Sequence, residues 1–167
     1  MNAARLATAV VIPAGPAAVA VLRYMLPYDT TDDTAAMVHK VAADPQAQSL
    51  VLWLGLVAVL TLVPGALWVG GLTRPRAPRL TTAALLLLIP GYLVLPSLVS
   101  EDALLWSGVA AGLDQATLTR LAAAEHLTLA VAGGVFVLGH VVGTVLLGLA
   151  LWASRTVPRW AAVLTIV

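Results

Sequence analysis

Four long apolar runs dominate the sequence and restrict what it can fold into. They cover residues 6–27, 50–72, 80–99 and 127–153, and they contain one formal charge, Arg23, and one histidine, His140. Each run reaches the length of about 20 residues that an α-helix needs to cross the hydrocarbon core of a bilayer. The sequence therefore predicts an all-α, polytopic transmembrane bundle with four full spans, forming a single domain over residues 1–167.

The two ends of the chain add further expectations. A last apolar run opens at Trp160 and reaches Val167, and eight helical residues extend only about 12 Å. We therefore expect a partial fifth span and a natural chain that continues past Val167. At the other end, Ala18-Val19-Ala20 resembles the cleavage site of a secretory signal, but the apolar run continues to Leu26 and favours a retained span.

Composition excludes several classes of protein. Hydrophobic residues make up 60% of the chain, whereas only nine Lys or Arg and eight Asp or Glu are present among 167 residues. Such a chain is neither disordered nor built to bind nucleic acid through a basic surface. It contains no cysteine, so a Cys-ligated metal site is excluded, and we expect neither a metal nor another cofactor.

The charges between the runs predict an orientation. One side collects cations without acids: Arg5, Arg74, Arg76, Arg79, Arg155 and Arg159. The other side collects all the acids: Asp29, Asp32, Asp33, Asp44, Glu101, Asp102, Asp114 and Glu125. Because short loops rich in Lys and Arg stay cytoplasmic, the pattern predicts a multi-pass membrane protein with its N-terminus on the cytoplasmic side.

A weak repeat relates the two halves of the sequence. Residues 36–43 align without gaps on residues 116–123, and Pro78-Arg79 aligns on Pro158-Arg159. This offset predicts two parallel units of 80 residues, each with a short outer helix that begins at an N-cap acid or threonine. The candidate caps are Asp33 or Thr34 and Asp114 or Thr117. Chance similarity between two stretches rich in Ala, Leu and Val is the alternative explanation.

His140 is the most informative polar residue, because a polar side chain within a span is costly and is commonly functional. It lies in Gly139-His140-Val141-Val142-Gly143, a spacing that lets another helix approach closely. The functional interpretation makes His140 a ligand contact, a proton relay or a haem ligand. The structural interpretation has the ring donating to a carbonyl that a proline frees, with Pro16, Pro64 and Pro90 freeing those of Ile12, Leu60 and Leu86.

Three residues near the outer face are further candidates for a ligand or polar-core role. His126 is 14 residues from His140, a spacing typical of helices that ligate two haems, but the chain lacks the additional histidines that such haems require. Glu125 and His126 are otherwise expected to form a polar cap at the interface. Arg23 is predicted to reach outward and pair with Asp29, Asp32 or Asp33.

Several motifs together resemble a known group of proteins. They are Ala4-Arg5-Leu6, the acidic outer loops, Leu62-Val63-Pro64-Gly65, and the run from Pro158 to Leu164. The chain resembles uncharacterised multi-span integral membrane proteins of the actinobacterial type. The resemblance implies a location in the bacterial cytoplasmic membrane and a multi-span helical fold, and members of the group typically have about six spans. It implies no active residues.

Function follows less directly, and three hypotheses remain open. The first is a non-enzymatic accessory or structural subunit that packs in the lipid bilayer against itself or a partner through Gly134, Gly139, Gly143 and Gly148. The second is a protein that binds or transports a small apolar or lipidic molecule near His140, which requires a cavity at mid-membrane depth. The third is a membrane enzyme that uses Glu125 and His126. The chain lacks the familiar catalytic motifs, so we expect a protein that is not an enzyme.

Overall fold

The computed structural model describes the backbone of residues 3–166 and the side chains of residues 10–166. This part of the chain is helical without any strand. Eight helices follow in order: α1 (Ala3–Met25), α2 (Thr34–Ala43), α3 (Pro45–Thr73), α4 (Pro78–Leu93), α5 (Leu95–Ala110), α6 (Gln115–Ala123), α7 (Leu127–Ser154) and α8 (Arg159–Ile166). The all-α prediction is confirmed. The side chain of Arg5, one of the predicted inner cations, lies outside the described residues.

Three helical segments are long and apolar enough to cross a membrane: Pro45–Thr73, Pro78–Ala110 and Leu127–Ser154. Within α1 the described segment Val10–Met25 is apolar but shorter than such a span. The third and fourth predicted spans thus correspond to α4 with α5 and to α7. Helix α3 begins at Pro45, five residues before the predicted start of the second span, because Asp44 caps it and Pro45 fits the first turn.

Helices α4 and α5 form one long segment with a break at Val94. Pro90 lies inside α4 and Pro96 in the first turn of α5, and each lacks the N–H that a continuous helix would use. At about 1.5 Å per residue, Pro78–Ala110 is about 50 Å long, which exceeds the hydrocarbon thickness of about 30 Å. Glu101 and Asp102 were predicted to lie in an outer loop. They lie on helix α5 instead.

The long helices pack mainly as two pairs, α1 on α3 and α4 on α7. Small residues allow the close approach: a Cβ atom added to Gly139 would lie 2.5 Å from the carbonyl oxygen of Leu87 and 3.1 Å from the Cα atom of Gly91. Gly65 similarly approaches the backbone of Ile12. The central core joins both pairs and includes Ala58, Leu62, Ala84, Leu88, Tyr92 and Leu147. Helix α8 packs on α7 at Gly148.

The short helices α2 and α6 pack against each other at the acidic end of the bundle. Asp33 and Asp114 are the N-caps, as predicted among the candidates, and accept from the backbone N–H of Ala36 and Thr117. The apolar faces of α2 and α6 bury a second core with α5, formed by Val38, Val41, Leu105 and Leu118. A positive φ of 73° at Gly112 makes the turn between α5 and α6.

Candidate functional site

A cavity of about 520 Å³ lies beside the centre of α7. It separates α1 from α7, which do not contact each other within the described residues. Its lining comes from five helices and includes Pro16, Leu62, Tyr92, His140, Thr144 and Thr165. The gap remains because α1 packs mainly on α3 and α7 packs mainly on α4.

A second cavity of about 360 Å³ adjoins the first. The two share Pro16, Leu62, Tyr92, Thr144 and Thr165, and the second continues past Leu88 to Leu151 and Val157 near the arginine end of the bundle. Its lining is almost entirely aliphatic. We call the two together the central cavity. Its combined volume is in the range of small-molecule sites, which are about 300–1,000 Å³.

His140 lies at the edge of this cavity, held by two aromatic neighbours. Phe136, one helical turn earlier on α7, stacks on the imidazole with centroids 5.5 Å apart and planes 12° apart. Tyr92 of α4 lies 5.9 Å away at an interplanar angle of 54°. The imidazole Nδ1 is buried and has no hydrogen-bond partner among the described residues. The ring is therefore oriented by packing, and one polar atom remains unsatisfied.

The structural interpretation of His140 is wrong for the imidazole Nδ1. It required the ring to donate to a carbonyl freed by a proline, namely that of Ile12, Leu60 or Leu86. None of these accepts from Nδ1, which is unpartnered. The prolines lie inside their helices as expected, but the imidazole packs between aromatic rings instead of against a freed carbonyl.

Thr144 lacks the hydrogen bond to its own helix that other threonines in the described residues make. In this hydrophobic environment a threonine hydroxyl usually donates to a carbonyl of its own helix. Thr61 does so to Val57 over 2.6 Å, and Thr165 to Ala161 over 3.0 Å. The buried Thr144 hydroxyl lies beside the Tyr92 hydroxyl but makes no hydrogen bond of normal geometry. The Thr144 hydroxyl is therefore buried behind the cavity wall, next to the Tyr92 hydroxyl.

The sequence-predicted glycines are distributed unequally. Gly139 and Gly143 pack on Gly91 and Leu88 of α4, and Gly148 packs on Ile166 of α8. Gly134 has no neighbour within 4 Å of an added Cβ atom. The surface formed by Gly139 and Gly143 is thus occupied within the chain rather than free for a partner.

The outer candidates do not join His140. His126 is exposed and caps α7 by accepting from the backbone N–H of Thr128, so the structure gives it a local structural role. Glu125 is also exposed and lines an outer cavity of about 310 Å³ together with Glu101 and His126. His126 and His140 lie at the start and the centre of α7 respectively. Within the described part of the chain, no group of three or more His, Asp or Glu residues is arranged to hold a metal ion.

The predicted ion pair of Arg23 is absent from the described residues. Lys40 takes the acids instead: its Nζ lies 2.7 Å from Asp32 and 3.5 Å from Asp29. Asp33 is occupied as the cap of α2. Arg23 lines a separate outer cavity of about 210 Å³, near Glu101 and Asp102. The acids Asp29 and Asp32 therefore pair with Lys40 of α2 and not with Arg23 of α1.

A polar cluster around Asp102 was not predicted from the sequence. Asp102 Oδ1 accepts from the Tyr28 hydroxyl over 2.6 Å and from the Gln48 amide over 2.9 Å. Burial, with the negative charge of Asp102, raises the pKa of Tyr28 above its ordinary value. Gln48 is fully buried. The only signal in the sequence was the position of these polar residues just outside the apolar runs, and it does not identify partners.

No protein-family model matches the chain, and neither a curated protein nor a solved structure is significantly similar to it. Any function must therefore be inferred from the geometry of the chain itself.

Proposed function

We propose that this protein is an integral membrane protein that binds a small apolar or lipidic molecule in the central cavity. The observation that carries the proposal is that two residues lining the cavity, His140 and Thr144, each have a buried polar atom, Nδ1 and Oγ1, that makes no hydrogen bond of normal geometry. A buried polar atom without a hydrogen bond is destabilising by about 1–3 kcal/mol. A bound molecule with one polar group, reached by a small side-chain rotation, relieves that cost.

The lining suggests the chemistry of this molecule. Among residues 10–166, no Asp, Glu, Lys or Arg lines the central cavity, so a fully charged ligand would be poorly solvated there. Imidazole and hydroxyl groups can both donate to a carbonyl or hydroxyl oxygen. We therefore propose an apolar molecule that carries one neutral oxygen function, held with this oxygen near His140 and Thr144 and its chain toward Leu151.

The membrane topology is part of the proposal. All 23 residues of α1 would extend about 35 Å, enough to cross, so we propose α1 as a fourth span beside the three long segments. The arginine-rich turns after α3 and α7 would face the cytoplasm, as would the N-terminus, in a bacterial cytoplasmic membrane. The central cavity would then open sideways to lipid between α1 and α7.

We also propose that the two helix pairs descend from a repeated unit. Each half has an outgoing segment, an outer helix capped by an aspartate and a returning segment, and each outgoing segment packs on its returning partner. Similar amino-acid composition accounts for the sequence similarity equally well. The shared pattern of caps and packing is what favours duplication.

The other two hypotheses draw less support from the geometry. An accessory subunit was suggested by Gly139 and Gly143, which pack on α4 of the same chain. An enzyme was suggested by Glu125 and His126, of which His126 caps a helix. Oligomerisation or a partner in a membrane complex would require another surface.

The test compares ligand stabilisation in matched variants. Protein in phosphatidylcholine nanodiscs is heated with increasing 2-undecanone or with undecane, which lacks the oxygen. A ligand that binds only the folded state raises the unfolding temperature with concentration. We expect stabilisation of the wild type by the ketone, and a loss of most of it in Thr144→Val and His140→Leu.

Thr61→Val is the matched control, because its hydroxyl bonds to its own helix and lies outside the cavity wall. It should respond to the ketone as the wild type does. Equal responses to the ketone and the alkane in every variant would contradict the proposed role of His140 and Thr144. Mass spectrometry of lipid extracted from the purified protein then identifies the natural ligand.

A further inference from the structure

A groove runs along one face of α4, apart from the central cavity. It has a volume of about 290 Å³ and is lined by Arg74 and by six residues of α4: Thr81, Thr82, Leu85, Leu86, Ile89 and Pro90. Their spacing of three or four residues, in adjacent pairs, is that of a single helix face. From Thr81 to Pro90 the groove extends about 14 Å along the helix axis.

The two ends of the groove differ in chemistry. Arg74 and the exposed Thr82 lie at the end near the turn between α3 and α4, whereas Ile89 and Pro90 lie deeper in the apolar segment. Leu85 is held in place because it packs on Gly70 of α3. The groove is therefore apolar along its length and has a cation, Arg74, at the end near the turn.

The charges around Arg74 define the complementary ligand. Arg76 lies in the same turn and Arg79 at the start of α4, and within residues 10–166 none of the three arginines forms an ion pair with an acid. All three are exposed. A guanidinium can bind a phosphate through two parallel hydrogen bonds. An unpaired arginine at the end of an apolar groove therefore favours a lipid with an anionic headgroup.

We propose that the groove binds an anionic phospholipid from the leaflet on the arginine side. Its phosphate pairs with Arg74, and one acyl chain lies along α4 from Leu85 to Pro90. This site is independent of the central cavity, since the lining of the groove shares no residue with that of the cavity. The charge of Arg74 selects an anionic lipid over a zwitterionic one.

The test is native mass spectrometry of protein released from vesicles containing equal amounts of phosphatidylglycerol and phosphatidylcholine. We expect the wild type to retain phosphatidylglycerol in preference to phosphatidylcholine. Arg74→Gln should lower that retention by about tenfold, because a charge-assisted bidentate contact is lost. Ile89→Trp, which fills the groove and keeps every charge, should also lower it.

Arg79→Gln is the matched control, because it removes the same charge near the same turn, at the start of α4, but Arg79 does not line the groove. It should change retention less than about twofold, because an exposed charge outside the groove is screened by salt and makes no direct contact with the phosphate. Equal losses in Arg74→Gln and Arg79→Gln would show diffuse attraction to the basic turn and would overturn the proposal. So would equal retention of the two lipids by the wild type. Circular dichroism confirms that each variant is folded, and Arg74→Lys provides a second, milder change, with retention expected between the wild type and Arg74→Gln.

Discussion

Tyr28 and Asp102 are 74 residues apart in sequence, and the Tyr28 hydroxyl donates to Asp102 Oδ1 over 2.6 Å. The same oxygen accepts from Gln48 of α3. One carboxylate thereby connects the loop after α1, the start of α3 and the helix α5. Among the hydrogen bonds of the described residues, this cluster links the most distant parts of the chain at the acidic end.

Removal of the Asp102 carboxylate should destabilise the acidic end. Asp102→Leu leaves the Tyr28 hydroxyl and the Gln48 amide without their acceptor, and we expect a loss of about 2 kcal/mol in the free energy of unfolding. Tyr28→Phe should cost about 1 kcal/mol, since only one hydrogen bond is lost. Denaturant unfolding in mild detergent provides the measurement. Asp29→Asn, at an exposed and weakly paired acid, is the control and should change stability little.

Close packing between α4 and α7 should make Gly139 intolerant of a side chain. A Cβ atom there would meet the backbone of Leu87, which cannot move aside as a flexible side chain can. We expect Gly139→Ala to cost about 1–3 kcal/mol in the free energy of unfolding. Gly134→Ala adds the same methyl group on the same helix in open space and should be neutral or slightly stabilising. Similar effects of the two substitutions on unfolding would contradict the observed helix pairing.

The stability of the second core, between α2, α5 and α6, should depend on Leu118 and not on Leu121. Leu118 is 1% exposed and packs against α2 and α5, whereas Leu121 is 45% exposed on the same helix. Leu118→Ala should therefore destabilise the packing of α2 on α6 by about 2–4 kcal/mol. Hydrogen exchange of the α2 amides should accelerate in this variant and remain unchanged in Leu121→Ala. Unchanged exchange in both would mean that the two short helices do not stabilise each other.

The ion pair between Lys40 and Asp32, which stabilises the loop between α1 and α2, should be lost in acid. The hydrogen bond from Lys40 lowers the pKa of Asp32 below its ordinary value of 3.8. Because the pKa is lowered in the folded state, the stabilisation is complete above the ordinary value and is lost as the pH falls through the folded value. A carboxyl NMR titration should show an Asp32 midpoint that moves upward in Lys40→Met. An identical midpoint in both proteins would exclude this pairing in solution.

Local features of this protein could be predicted from the sequence better than long-range contacts. The capping aspartates Asp33 and Asp114 were predictable because a cap depends on a few neighbouring residues. The ion pair of Arg23 was predicted wrongly, since Lys40 on a different helix is better placed for Asp32. The break at Val94 also escaped prediction, although Pro90 and Pro96 flank it. Glu101 and Asp102 lie on α5, the helix that follows this break.

The sequence by itself determined the helical segments and the separation of charge between the two ends, because backbone polar groups and charges are costly in hydrocarbon. The tertiary structure decided which faces meet. Helices that are apolar on every side carry no stripe that marks an inward face. Only packing therefore brings Gly139 against Gly91, leaves His140 and Thr144 beside a cavity, and joins Tyr28 to Asp102.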